Sequence, residues 1–118
     1  MLNKMFEAIE NMDWNTHFSE NQTESEIEIE LENWSPAGEN IIETIRFDNT
    51  PDGLIKALKE NAESFDVDEH VELWIEGRGK NGVPDTAREL VEDAEAIKEM
   101  LDDLYEAVSE IYKEGEQK

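Results

Sequence analysis

The groups in this sequence that could do chemistry are carboxylates and two imidazoles. Aspartate and glutamate account for 32 of the 118 residues, the histidines are His17 and His70, and cysteine is absent. The acidic neighbours of His70 in the sequence are Asp66, Asp68, Glu69 and Glu72. Their spacing lacks the glycine at the sixth position and the closing glutamate of an EF-hand loop. We therefore expect no metal site and no cofactor, although dense carboxylates collect cations weakly.

Catalysis is not expected either. Carboxylate pairs perform glycoside hydrolysis, but acidic pairs are so frequent here that their presence is not specific. No Ser/His/Asp constellation can be read from the chain, and the lack of cysteine excludes thiol nucleophiles and disulfides. Gly77-Arg-Gly-Lys-Asn-Gly82 matches the dinucleotide fingerprint G-x-G-x-x-G. A dinucleotide-binding βαβ unit needs a strand after the next helix, which this sequence does not supply, so we interpret the glycines as a surface turn.

A more informative pattern is an alternation of acidic and apolar residues between positions 25 and 33. Its acidic members, which we call the glutamate row, are Glu26, Glu28, Glu30 and Glu32. Alternate residues of a strand lie on one face about 6.6 Å apart, so the row predicts a straight line of negative charge. Such a line fits a basic groove that holds phosphates. The alternative is a solvated strand face, although an ordinary face would include lysine and this strand has none.

The net charge favours an acidic binding surface. Ten basic residues against 32 acidic ones give −22, beyond the magnitude of about 2–8 that serves solubility in a small domain. No lysine or arginine lies between Lys4 and Arg46. The acidic residues of that stretch are Glu7, Glu10, Asp13, Glu20, Glu24, Glu26, Glu28, Glu30, Glu32, Glu39 and Glu43. We expect an almost purely negative surface formed by the glutamate row with Glu24, Glu39 and Glu43, and no direct binding to nucleic acid.

The elements that must position these groups predict a single α+β domain over residues 1–118. We predict a short amphipathic helix over 2–12 and a three-stranded antiparallel sheet with strands over 14–19, 25–33 and 41–47. Thr50 and Pro51 predict the start of a helix that runs to about residue 64. Residues 68–76 fit a helix or a strand, and we favour the helix. A long amphipathic helix then begins near Pro84 and ends in a frayed tail at about 114–118.

The long helix has a clear apolar stripe. Its members are Ala87, Leu90, Ala94, Ile97, Leu101, Leu104, Val108 and Ile111, widened by Val91, Tyr105 and Tyr112. The opposite face carries Glu92, Asp93, Glu95, Glu99, Asp102, Asp103, Glu106 and Glu110. Spacings of three and four predict that the stripe packs on the core, and the alternative is a homodimer through this helix. Trp34 and Trp74 are expected to be core or loop anchors.

Three blocks of the sequence resemble small uncharacterised acidic proteins of phages and mobile elements of Gram-positive bacteria. They are Glu32-Asn-Trp-Ser-Pro-Ala-Gly-Glu39, Trp74-Ile-Glu-Gly-Arg-Gly79 and Leu90-Val-Glu-Asp-Ala-Glu-Ala-Ile-Lys-Glu-Met-Leu101. The resemblance extends over roughly residues 30–105 and includes no catalytic motif. In size and charge the chain is also similar to anti-CRISPR and anti-restriction proteins, many of which are acidic DNA mimics.

These observations lead to a functional expectation. The protein is expected to be a phage or mobile-element inhibitor that mimics DNA and occludes the groove of a basic nucleic-acid-binding protein, above all a CRISPR effector nuclease. No signal peptide or membrane span is read in the sequence, and we expect the cytoplasm of a bacterial host. The alternatives are a helical adaptor module that pairs through the long helix and, more remotely, a small metal-dependent enzyme.

Overall fold

A computed structural model describes residues 2–19, 23–76 and 87–116 and confirms the predicted α+β architecture. In chain order the elements are α1 (Leu2–Asn11), β1 (Asn15–Phe18), β2 (Glu26–Trp34), β3 (Asn40–Asp48), α2 (Pro51–Ser64), α3 (Val67–Glu76) and α4 (Ala87–Glu116). The strands form one antiparallel sheet with β2 in the centre. Because α4 reaches Glu116, the helix includes part of the predicted frayed tail. The glycine-rich segment 77–82, the predicted helix start at Pro84 and residues 117–118 lie outside the described residues.

The two helices that come directly after the sheet each begin with a side-chain cap. Thr50 Oγ1 accepts a hydrogen bond from the Gly53 backbone N at 3.0 Å, which confirms the predicted N-cap of α2. Asp66 Oδ1 accepts one from the Glu69 backbone N at 3.2 Å, and the helical assignment of residues 68–76 is confirmed. Glycine is needed at position 53, because a Cβ atom there would lie 2.4 Å from the Asp48 carbonyl oxygen.

The core lies between one face of the sheet and the helices. Its buried residues come from α1 and the turn after it, from the inner face of β2 and β3, and from the apolar stripes of α2 and α4. They are Met5, Ile9, Trp14, Ile29, Leu31, Ile41, Ile45, Phe47, Leu54, Leu58, Ala62, Ile97, Leu101, Leu104 and Val108. The predicted core role of the α4 stripe is confirmed from Leu90 to Val108, while Val91 is exposed. The opposite face of the sheet is therefore open.

A buried polar contact joins the β2–β3 turn to α4. Asp93 is only 4% exposed, so its predicted place on the solvent face of the long helix is wrong. Its two carboxylate oxygens accept hydrogen bonds from Ser35 Oγ at 2.6 Å and from the Ala37 backbone N at 2.9 Å. Ser35 Oγ in turn accepts one from the Glu39 backbone N at 3.0 Å. A carboxylate buried with satisfied oxygens fixes this end of the sheet relative to the helix.

Candidate partner-binding surface

The glutamate row lies on the open face of the sheet, as its alternation predicts. Ile29 and Leu31, which alternate with the glutamates, are fully buried against the helices. Glu30 is exposed, and the other three members of the row are partly buried. Because β2 is the central strand, Glu30 and Glu32 have residues of β1 on one side and of β3 on the other, whereas Glu26 and Glu28 are paired with residues of β3 alone. The chemistry of the row therefore depends on those neighbours.

Arg46 of β3 lies beside the row, so the surface that was expected to be almost purely negative contains one cation. The register of β2 and β3 places Arg46 opposite Glu28. Its Nε atom is 3.2 Å from Glu28 Oε2 and 3.4 Å from Glu26 Oε1. With the guanidinium against it, the Glu28 side chain is only 16% exposed. One end of the row thus carries locally compensated charge.

At the other end of the row, Glu30 and Glu32 lie beside polar and apolar residues. Glu30 is opposite Thr44 on β3 and His17 on β1. Glu32 is opposite Ile42 and accepts a hydrogen bond from Asn40 Nδ2 at 3.3 Å. Trp34 ends the strand and is 50% exposed, so it is not a core residue. For Trp74, the position of the side chain is outside what the structure describes.

The remaining predicted site residues lie outside β2. Glu24 is exposed and precedes β2. Glu39 follows the turn, and its Oε2 atom is 3.1 Å from His70 Nε2 on α3. Glu43 pairs with Leu31 and so lies on the inner face of the sheet, together with Ile41 and Ile45. The structure brings Glu39 and Glu43 together beside His70, on a different surface from Glu30.

Glu39, Glu43 and His70 line a small cavity of about 160 Å³ that also contacts the ring of Phe65. Burial raises the pKa of the Glu43 carboxyl, and the charge of His70 opposes that shift. The Phe65 ring lies 5.2 Å from the His70 ring, measured between centroids. Among the residues with described positions, no group of three His, Asp or Glu side chains is arranged to hold a metal ion. The two carboxyl groups and the imidazole that line the cavity form a partly buried cluster at the edge of the core.

A second linear array of carboxylates lies on the outer face of α4, and the sequence reasoning did not select it as a site. Its members, the α4 acidic stripe, are Glu92, Glu95, Glu99, Asp103, Glu106 and Glu110, all exposed. At a rise of 1.5 Å per residue these carboxylates extend over roughly 27 Å. The signal was present in the sequence, because acidic residues recur there at spacings of three and four in register with the apolar stripe.

Two of the three basic residues of α4, Arg88 and Lys98, make ion pairs in the first half of the helix, and the third, Lys113, follows the last member of the stripe. Arg88 Nε lies 3.5 Å from Glu92 Oε1, one turn away. Lys98 Nζ lies 3.3 Å from Asp102 Oδ1 and donates to the Ala62 backbone carbonyl. From Glu99 to Glu110 the helix contains no lysine or arginine. That half of the α4 acidic stripe is an exposed run of carboxylates uninterrupted by a cation of its own helix.

In comparisons with known proteins, no protein-family model, no curated protein and no solved structure matches the chain. Within the part of the chain that the structure describes, no helix is both long enough and apolar enough to cross a membrane.

Proposed function

We propose that this protein is a phage or mobile-element inhibitor that occupies the nucleic-acid-binding groove of a host-defence nuclease, with a CRISPR effector as the first candidate. It acts by binding and not by catalysis, in the cytoplasm of the bacterial host. The observation that most supports this proposal is the pair of carboxylate arrays, one partly exposed on the central strand and one with all its members exposed on α4. Each is held by an element whose other side is buried in the core.

The mechanism follows from the electrostatics of nucleic-acid grooves. Proteins that hold DNA line the groove with lysine and arginine, and much of the affinity comes from contacts with phosphates. The α4 acidic stripe offers one carboxylate per roughly 5 Å, and the glutamate row one per roughly 6.6 Å. Because both elements are packed against the core, little backbone entropy is lost when the carboxylates meet the cations of the groove. Binding there excludes DNA by competition.

The helical adaptor is less well supported, because the apolar stripe of α4 is already used. Ile97, Leu101 and Leu104 belong to that stripe, and each is at most 2% exposed within the single chain. The outward face of the helix is acidic, and two such faces repel each other. The homodimer through α4 stays an untested prediction.

The proposal is tested by DNA cleavage with a panel of guide-loaded CRISPR effectors and restriction nucleases. We expect the protein to inhibit at least one, and added DNA to relieve the inhibition. Two double charge reversals separate the surfaces: Glu30→Lys with Glu32→Lys on the sheet, and Glu99→Lys with Asp103→Lys on α4. A reversal at the surface that binds should weaken inhibition on the order of tenfold or more, because attraction becomes repulsion.

A matched control has the same net charge but changes neither array. Glu7→Lys on α1 with Glu72→Lys on α3 alters two exposed positions outside both. If all three double variants lose inhibition equally, net charge and not a defined surface is responsible. If no nuclease of the panel is inhibited in competition with DNA, DNA mimicry is rejected.

A further inference from the structure

Two large apolar side chains, those of Trp34 and Ile42, occupy diagonal positions on the open face of the sheet, and the Asn40–Glu32 hydrogen bond spans the other diagonal of the same four residues. Trp34 is 50% exposed and Ile42 is 52% exposed. The register pairs Trp34 with Asn40 and Glu32 with Ile42, so Trp34 and Ile42 are diagonal neighbours on adjacent strands. Diagonal neighbours are about 7–8 Å apart, within reach of an aromatic side chain. Single exposed apolar residues are ordinary on protein surfaces, whereas apolar residues grouped on one face are a feature of interaction sites.

The fold does not use this pair but holds it in place. The core is built from the opposite face of β2 and β3, where Ile29 and Ile45 are buried. The Trp34 backbone N donates to Asn33 Oδ1 at 2.8 Å, and the next residue, Ser35, is tied to Asp93 of α4. The backbone on both sides of Trp34 is therefore fixed. A pre-ordered aromatic residue loses little entropy when it binds, which is the usual property of an interface anchor.

The charged residues around Trp34 and Ile42 indicate what kind of partner fits this surface. Glu32 lies beside Ile42 on the same face, and Glu30 is the next member of the row. A second copy of this chain would bring the same carboxylates against each other, with −22 on each copy. A partner with arginine or lysine around an apolar side chain satisfies both features, since a guanidinium also stacks well on an indole ring.

We propose that Trp34 and Ile42 are the apolar anchor by which the open sheet face binds a basic protein surface, one in which arginine or lysine residues surround an apolar contact. The inference rests on the proposed function in one respect, namely that the partner is basic. The anchor supplies affinity that salt does not screen, and it discriminates between cationic surfaces that charge alone would bind equally.

The test uses two synthetic peptides of equal positive charge. In one, arginines alternate with glycine, and in the other, arginines alternate with leucine and tryptophan. We expect the wild-type protein to bind the second peptide about tenfold more tightly, as for one well-formed hot-spot contact. This ratio should persist at high salt while both affinities fall.

Variants then assign the difference to the anchor. Trp34→Ala should abolish the tenfold ratio, and Ile42→Thr, which keeps a β-branched residue in the strand, should reduce it. Leu73→Ala is the matched control, because Leu73 is a 60% exposed apolar residue on α3, and the ratio should be unchanged. Circular dichroism checks that each variant is folded. Equal affinity of the wild-type protein for both peptides, or an unchanged ratio in Trp34→Ala, would overturn the inference.

The outcome is separable from that of the proposed function, because no DNA is present in the peptide assay. A clear ratio without DNA competition at any nuclease would keep the anchor and reject mimicry. Competition with DNA but equal peptide affinities would keep mimicry and reject the anchor.

Discussion

At Arg46 a single cation lies between two carboxylates of the glutamate row. The hydrogen bond to Glu28, followed by attraction from Glu28 and Glu26, raises the pKa of Arg46, so the guanidinium stays charged. The pair is partly open to water and contributes little to stability. Its importance is local: Glu28 is covered, and a lysine at that position would face Arg46. Charge-reversal experiments on this face therefore belong at Glu30 and Glu32.

Glu43 provides a prediction at the scale of a residue. Its pKa is raised in the folded protein, so the folded state holds this proton more tightly than the unfolded state does. Below the unfolded pKa the Glu43 carboxyl is protonated in both states, and its burial does not lower the free energy of unfolding. As the pH rises through the folded pKa, the free energy of unfolding falls. Glu43→Gln should raise the melting temperature at pH 7, with a gain that shrinks as the pH falls towards 4.

The measurement is thermal unfolding of both proteins across this pH range. Glu30→Gln is the matched control, because it removes the same charge from the exposed face of the sheet. A gain in Glu30→Gln as large as that in Glu43→Gln would show that general repulsion, and not the burial of Glu43, sets the effect.

Asp93 gives a second prediction at this scale. Asp93→Ala removes the acceptors of Ser35 Oγ and the Ala37 backbone N. An unsatisfied polar group at a buried site costs about 1–3 kcal/mol, and we expect a loss of that size in the free energy of unfolding. Glu95→Ala, at an exposed position of the same helix, should change it by no more than about 0.5 kcal/mol. Denaturant unfolding measures both, and equal losses would contradict the buried-contact interpretation.

At the scale of elements, periodicity predicted α1, β2, β3, α2 and α4 well because each has one side with buried residues, whereas β1 and α3 have none among their described side chains. The 3.6-residue period of α4, the alternation of β2 and the cap at Thr50 are local signals, and the structure confirms them. The alternation along β2 and β3 also predicts on which face of the sheet Trp34 and Glu43 lie, although neither was assigned in this way from the sequence. Trp34 shares the parity of the glutamate row, which places it on the open face, and Glu43 shares that of Ile41 and Ile45, which places it inside.

Other features could not be read from local patterns. Arg46 reaches Glu28 through the β2–β3 register, and the pairing depends on where the intervening turn places the returning strand. Asp93 lies on the polar side of α4 by period, yet its hydrogen-bond donors come from residues 56 and 58 positions earlier. Tertiary contacts of this separation override the local pattern. The candidate surface was therefore predictable in its line of carboxylates but not in its neighbours.

The core role of α4 gives a prediction at the scale of an element. Leu101 is 2% exposed and lies in the main core cluster. Leu101→Ala should lower the free energy of unfolding by about 2–5 kcal/mol, as for other buried leucines. Denaturant unfolding combined with light scattering measures stability and mass together. If the variant kept its stability but a wild-type dimer dissociated, the stripe would be an intermolecular contact and the adaptor alternative would gain support.

For the whole molecule the distribution of charge matters more than any one pair. Exposed carboxylates lie on the sheet, on α4 and on the remaining helices, and three of the ion pairs that involve them, Arg46–Glu26, Lys59–Glu63 and Arg88–Glu92, are exposed on both sides. Such pairs each contribute little. The fold is held by its apolar core against repulsion that acts across the entire surface. A cationic partner would relieve this repulsion, so binding and stabilisation should occur together.

The salt dependence of stability tests this balance. The molecule measures 48 × 30 × 21 Å, while the screening length is about 30 Å at 0.01 M salt and about 8 Å at 0.15 M. At the lower concentration most carboxylates repel one another across the protein, and at the higher one only neighbours do. Because unfolding moves the charges apart, repulsion favours the unfolded state, and the melting temperature should rise as sodium chloride increases between these concentrations. A variant with Glu95, Glu99 and Glu106 changed to glutamine should show a smaller rise from a higher starting value. A flat or falling melting temperature in the wild-type protein would mean that local pairs already offset the acidic charge, and the view that repulsion among surface carboxylates opposes folding would be lost.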